Sequence, residues 1–375
     1  MPEEMPDIEC IALSSRLMQR TCKCILSHTT QNEKKRKKTD ILYMKKILTF
    51  AMSAALAALL ASCGGSGSQK KDAETEGKEV EVPTFCADSA YAYVAAQCAF
   101  GPRVMNSEAH DKCGDYIAEK FKEFGAEVIS QNAELTRYDG MKLKARNIIA
   151  SYNSGNPIRV MICGHWDSRP WADNDKNDDK HQSPIDGAND GASSVGVMLE
   201  MARQIQAKAP EIGVDFICFD AEDSGKPQWA EKEDENNEAT WCLGSQYWSA
   251  NMHKEDYFAR YGILLDMVGG RGSVFMKEGF SVQYASDVVD KVWKAAEKCG
   301  YNAYFKNVGG GYVTDDHLPV NRIAGIPCID VIGSDAVNGG FVSSWHTVDD
   351  NMDNIDKGTL KAVGQTMMEV IYNEK

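Results

Sequence analysis

The stretch that most constrains this chain is 158–200, where an apolar run, a polar loop and an apolar helical period follow one another without a break. Residues 158–163 form a short apolar run closed by Gly164, the pattern of a fully buried strand. After Asn189-Asp190-Gly191 the apolar positions take the helical spacing of Val195 and Leu199, joined by Met201. A strand, a loop and a helix in that order predict a unit of α/β sheet. Ligands of such sheets collect outside the carboxyl ends of the strands, which singles out His165, Asp167 and Asp190.

The pattern extends in both directions. Helical spacing at 87–100 and 107–124 precedes strand-like alternation at 127–136 and 143–152. Further strands are predicted at 214–219, 261–267 and 327–332, with helices at 243–251, 281–299 and 357–372. The predicted fold class is therefore α/β, with a mostly parallel central sheet and helices on both faces. A length of 375 residues accommodates one large domain plus extra segments, and no internal repeat is visible. A formal charge of -14 argues against a nucleic-acid partner, because phosphates are held by clustered Lys and Arg. The one basic run, Lys34 to Lys38, precedes the predicted domain.

The first part of the chain reads differently. Residues 1–43 are polar and lack a sustained apolar period, so the expectation is that translation starts at Met44 and that 1–43 is an upstream segment. From Met44 a short basic region and an apolar core make 44–62 an export signal, too short for an ordinary membrane span. Its end, Leu60-Ala61-Ser62-Cys63, resembles a bacterial lipobox, which would make Cys63 the lipidated first residue; cleavage by an ordinary signal peptidase is the alternative. Residues 63–84 are then a flexible tether and 85–375 the catalytic domain. The expected location is outside the cytoplasm, lipid-anchored to the outer membrane and facing the periplasm, with no other membrane contact. Export permits disulfides, and Cys98 with Cys113 is the candidate pair, free buried thiols being the alternative.

The predicted core strands lead into polar groups. Residues 214–219 run into Asp220-Ala221-Glu222-Asp223, 261–265 into Asp266, and the segment after 327–332 reaches Trp345-His346-Thr347. With His165 and Asp190 these converge on one sheet edge, and such a mixture of imidazole and carboxylate is what Zn²⁺ takes in catalytic sites. Adjacent carboxylates can divide the labour, one on the metal and the other moving protons. Taken singly, Asp167 and Asp220 read as turn formers, and the acidic runs at 173–179 and 231–238 as solvated loops without calcium-loop spacing. Trp229 and Trp345 lie in polar loops and are candidate pocket walls, core packing being the alternative.

The ordered motifs GHWDS, GANDGASS, FDAED, LLDMVG, DDHLP and WHTVDD resemble the zinc-exopeptidase fold, and within it the glutaminyl cyclase branch that includes bacterial enzymes similar to the animal type. The resemblance covers about 85–375. It implies conversion of N-terminal glutamine of peptides or proteins to pyroglutamate with release of ammonia. It further implies one catalytic zinc on Asp190, Asp223 and His346, with Glu222 as proton shuttle beside Asp266 and Asp315, and Trp229 and Trp345 lining the pocket. The same residues leave open a double-zinc aminopeptidase, whose second ion would use His165 and Asp266 together with Asp190. A surface binding module that has kept the fold without catalysis is the remaining alternative.

Overall fold

A computed structural model describes residues 80–230 and 237–375. Segments 1–43, 44–62 and Cys63, with the tether up to residue 79, lie outside the described residues. Among the described residues no helix is long and apolar enough to cross a membrane.

The chain forms an eight-stranded sheet in the order β1-β2-β4-β3-β5-β8-β6-β7. Its centre comprises β3 (Arg159–His165), β4 (Gly213–Phe219), β5 (Gly262–Asp266) and β8 (Cys328–Asp335), each parallel to its neighbours in this group. An antiparallel wing of β1 (Glu127–Thr136) and β2 (Lys142–Tyr152) flanks β4. On the other side, β6 (Ser273–Lys277) runs antiparallel to β8 and carries β7 (Phe305–Gly309). The sheet is thus mixed with a parallel core. Strands β6 and β7 escape prediction; β7, Phe-Lys-Asn-Val-Gly, is largely exposed and has no apolar period.

Both faces are covered, as the unbroken burial of β3, β4 and β5 requires. Alternate residues divide between the faces. Val160, Ile162, Phe216 and Leu265 pack with α1 (Ala87–Cys98), α2 (Glu108–Glu123), α3 (Ala192–Ala207), α5 (Gly279–Lys298) and α6 (Lys357–Asn373). Met161, Cys163, Phe219 and Leu264 pack on the opposite face with Trp248 of α4 (Leu243–Ala250) and with Val320 and Ile326. Helix α3 approaches β3 closely only because residue 164 is glycine. A Cβ there would lie 2.7 Å from that of Ser194 and 2.9 Å from the Leu265 carbonyl oxygen.

The expected Cys98–Cys113 pair does not form, and both are free thiols. Cys98 ends α1 whereas Cys113 is sunk in the core beneath α2, and burial pushes their thiols up to about 11 and about 12.

Candidate active site

Parallel register brings the ends of β3, β4 and β5 to one edge: His165 pairs with Phe219, the residue before Asp220, while Asp266 closes β5 beside Ile332 of β8. The loops after β4, β5 and β8 carry non-glycine residues held in the left-handed region. Ala221 (φ 53°) precedes Glu222, Met267 (φ 50°) follows Asp266, and Cys242 (φ 58°) and His346 (φ 54°) complete the set. Among the described residues the two other left-handed non-glycine residues are Asn106 and Asn153, a residue type that tolerates this backbone. Backbone strain is therefore concentrated at the strand ends, where it aims side chains.

Asp190, Asp223 and His346 converge there. His346 Nε2 lies 3.2 Å from Asp223 Oδ1 and 3.6 Å from Asp190 Oδ2, and all three residues are buried. Each is fixed from behind. The Asp350 carboxylate accepts hydrogen bonds from the backbone N–H groups of Asn189 and Asp190, at 2.8 and 3.1 Å. The Asp167 carboxylate accepts those of Glu222 and Asp223, both at 3.2 Å. Arg169 lies 3.3 Å from Asp223 Oδ1 and makes a two-pronged contact with Asp173 at 2.6 Å, while Asp173 Oδ1 stands 3.5 Å from His346 Nδ1. Asp223 Oδ2 is buried without a hydrogen-bond partner in the protein. Two carboxylates and an imidazole with an orphaned oxygen among them fit a divalent cation with nitrogen and oxygen ligands. The His346 ring is oriented by Asp173 as metal-bound histidines usually are.

His165 behaves differently. Its Nε2 is 2.9 Å from Asp190 Oδ1 and 3.4 Å from Asp266 Oδ1, and its Nδ1 is 3.4 Å from Asp167. Burial disfavours the charged ring, yet these three carboxylates raise its proton affinity well above the usual histidine value. The His165, Asp190 and Asp266 cluster of the aminopeptidase alternative is thus assembled, with the His165 ring hydrogen-bonded to Asp190 at its centre.

Glu222, Asp266 and Asp315 border one cavity of about 240 Å³. Asp190, His346, Trp345, Trp241, Phe341 and Tyr312 complete much of its wall. Burial raises the proton affinity of Glu222 well above the carboxylate range, and the charges of Asp223 and Asp315 add to this. Asp315 is raised likewise, by burial and then by Asp266, and Asp266 is raised by burial.

Trp345 lines the cavity, as the sequence suggested, and stacks on His346 with centroids 3.8 Å apart. Trp229 does not line it. It is 47 % exposed on the outer part of its loop, stacked on His181 and edge-on to Trp171. The place on the wall belongs to Trp241, whose ring lies nearly parallel to that of His346 at 6.0 Å and against the Arg169 guanidinium at 4.6 Å. A Cβ at residue 225 would fall 2.1 Å from the Trp241 ring, so Gly225 is what admits it.

The profile of peptidase family M28 matches residues 147–371, which span every strand end described above. The chain belongs to peptidase family M28. A crystal structure of Bacteroides thetaiotaomicron glutaminyl cyclase bound to N-acetylhistamine is similar to this M28 chain at 56 % identity, with a TM-score of 0.77, covering 79 % of this chain and all of that one. Aminopeptidase YwaD of Bacillus subtilis is 29 % identical over 70 % of this chain and 52 % of its own length. The glutaminyl-peptide cyclotransferase of Bos taurus is 25 % identical over 57 % of this chain and 62 % of its own length. The M28 chain therefore spans between half and two thirds of these two curated relatives.

Sequence reasoning missed Trp241, Cys242, Asp173 and Asp350. Trp241 and Cys242 sit at the far end of a long polar loop, and nothing in their spacing distinguishes them from Trp229. Asp350 was within reach, because it belongs to the WHTVDD motif.

Proposed function

We propose that this chain is a zinc-dependent glutaminyl-peptide cyclotransferase, converting the N-terminal glutamine of peptides or proteins to pyroglutamate and releasing ammonia. The observation that carries this reading is one small cavity that places the raised carboxyl of Glu222 opposite a single well-spaced ligand set. Ligands of a tetrahedral ion with bonds of about 2.1 Å stand roughly 3.4 Å apart. The separations of 3.2 and 3.6 Å around His346 bracket that value, whereas His165 Nε2 stands 3.4 Å from Asp266 but is drawn to 2.9 Å from Asp190, a hydrogen bond. This supports one ion, on Asp190, Asp223 and His346, with the hydrogen-bonded His165 ring where a second would stand. The similarity to solved glutaminyl cyclases supports the cyclotransferase over the aminopeptidase.

A bound Zn²⁺ supplies Lewis-acid polarisation of the glutamine side-chain carbonyl. The protein supplies the rest. Trp241, Trp345 and Phe341 enclose the side chain, exclude water and hold the substrate's α-amine near its own amide carbon, which makes the attack intramolecular. As the new N–C bond forms, Glu222 takes a proton from the amine, and as the old C–N bond breaks it returns that proton to the departing ammonia. A carboxyl raised by burial is suited to both transfers. The charges of Asp223 and Asp315 restrain its ionisation, and Asp266 in turn restrains that of Asp315.

The aminopeptidase reading keeps the assembled His165, Asp190 and Asp266 cluster in its favour. Incubating the purified chain with zinc and a Gln-initiated dipeptide separates the two. Ammonia and an N-blocked, uncleaved dipeptide are expected, and free amino acids without ammonia would overturn the assignment. Export through 44–62 and a lipid anchor on Cys63 in the outer membrane, facing the periplasm, belong to the same proposal, supported by the basic, apolar and small-residue order of that segment. A mass spectrum of the native N-terminus showing no acylated Cys63 would remove the anchor.

A further inference from the structure

The apolar first part of strand β8, Cys328 to Ile332, is interrupted by Asp330. A carboxylate buried in the middle of a parallel sheet is out of keeping with its neighbours. Asp330 is completely buried, and neither of its side-chain oxygens has a hydrogen-bond partner in the protein. Across from it, His317 in the helical turn His317–Pro319 is also completely buried, and neither ring nitrogen has one. Asp315 Oδ2 is orphaned in the same way. Ligating atoms of Asp315, His317 and Asp330 all lie within 4.8 Å of one another. Buried polar atoms are nearly always paired, so three adjoining buried residues that all carry orphaned atoms mark a place for a ligand.

The orientation of His317 says what kind. Its Nε2 stands 3.3 Å from Glu278 Oε2, and its Nδ1 is turned to Asp330, 3.9 Å away. Glu278 is itself immobilised, accepting from the Phe280 and Val313 N–H groups on one oxygen and from the Ser281 N–H and hydroxyl on the other. Although burial works against its charge, its contacts with His317 and Ser281 lower its pKa to about 2. His346 is built on the same plan, with Nδ1 toward Asp173 and Nε2 toward Asp190 and Asp223. A carboxylate behind one imidazole nitrogen, with two carboxylates before the other, is how proteins fix a metal-binding histidine. His165 shares this arrangement, with Nδ1 toward Asp167 and Nε2 toward Asp190 and Asp266, but its Nε2 already makes a 2.9 Å hydrogen bond to Asp190, whereas neither nitrogen of His317 has a hydrogen-bond partner. The groups around the interior cluster, Asp266 and Glu278, add negative charge to it and leave a cation favoured.

We propose that Asp315, His317 Nδ1 and Asp330 form an interior site for a divalent transition-metal cation, separate from that of Asp190, Asp223 and His346. Carboxylate and imidazole ligands suit Zn²⁺ or a neighbouring first-row ion. Asp315 also faces Glu222 and Cys242, so a cation here fixes the carboxylate that stands behind the proton shuttle. The site does not depend on which reaction the cavity performs.

The test is a zinc count with a position. The chain, stripped with chelator and re-equilibrated with Zn²⁺ alone, is expected to hold about two ions by native mass spectrometry, falling to about one in Asp330→Asn. His346→Ala is expected to lose the other ion instead. Anomalous scattering at the zinc edge from wild-type crystals is expected to give a peak between Asp315, His317 and Asp330, and it decides the matter even where the variant does not fold. The same zinc content in folded Asp330→Asn as in wild type, or no peak at that position, overturns the proposal. A second peak between His165, Asp190 and Asp266 would instead overturn the single-ion reading of the active site, which keeps the two failures distinct.

Discussion

The Sγ of Cys242 lies 3.3 Å from Oε1 of Glu222 and donates its hydrogen to that carboxylate. Left-handed backbone at Cys242, immediately before α4, holds the thiol there, and burial followed by the nearby charge of Glu222 keeps it protonated. A hydrogen bond to the charged form of a carboxyl lowers its pKa, so removing it raises the pKa further. Cys242→Ala is expected to lower kcat about tenfold and to move the acidic limb of the pH–rate profile to higher pH, with Cys242→Ser recovering most of the rate. Unchanged kcat and pH profile in Cys242→Ala would mean that the contact does not serve the reaction.

Glu222 itself faces the cavity without belonging to the Asp190, Asp223 and His346 ligand set. Glu222→Gln keeps the shape and removes the proton transfer. Its kcat is expected to fall at least about a hundredfold, the usual scale of general acid/base catalysis, with zinc content unchanged. Near-normal turnover would remove Glu222 as the shuttle.

Two tryptophans from one loop have unlike surroundings. Trp241 is wedged between His346 and Arg169 and walls the cavity, whereas Trp229 is half exposed. Trp241→Ala is expected to lower kcat/KM by about tenfold or more, chiefly through KM, and Trp229→Ala by less than about twofold. Steady-state kinetics on a Gln-initiated peptide series measure both, and a larger effect at Trp229 would return it to the substrate site.

This pair also marks where the sequence stops being readable. The parallel core and its strand-end residues were legible because burial on both faces writes unbroken apolar runs at β3, β4 and β5, and the residue after such a run is easily found. His165, Asp266 and the Glu222-Asp223 pair follow from that, whereas Asp190 and His346 sit far along their loops and are singled out as ligands by the resemblance of their motifs. Trp241 and Cys242 follow from neither, since their places depend on the path of a long loop and on Gly225 making room for a ring. Asp330 is harder still. A single polar residue inside an apolar strand gives no hint of its partners, and His317 meets it only through tertiary packing.

The two histidines that touch Asp190 should separate by metal content. His346→Ala removes a ligand whose spacing suits an ion and is expected to lose one equivalent of zinc, whereas His165→Ala removes a hydrogen-bonded ring and is expected to keep it. Loss of zinc in His165→Ala would favour the two-ion arrangement.

Buried acids make the metal-stripped protein sensitive to alkali. Burial raises Asp316 to about 7, and burial followed by the Asp190 charge raises Asp350 to about 8. In the unfolded chain both would titrate at about 4, so between that pH and 7 to 8 the folded state binds more protons than the unfolded one. Stability from these groups is therefore complete below about pH 4, declines as pH rises through 7 and 8, and then levels off. Glu278, lowered to about 2, acts oppositely, and the stability it contributes is lost only as pH falls toward that value. The urea midpoint of the stripped chain is expected to be lower at pH 8.5 than at pH 6. Asp316→Asn, which cannot ionise, is expected to shrink that difference, and an equal or larger difference in this variant would show that Asp316 does not titrate in the folded chain.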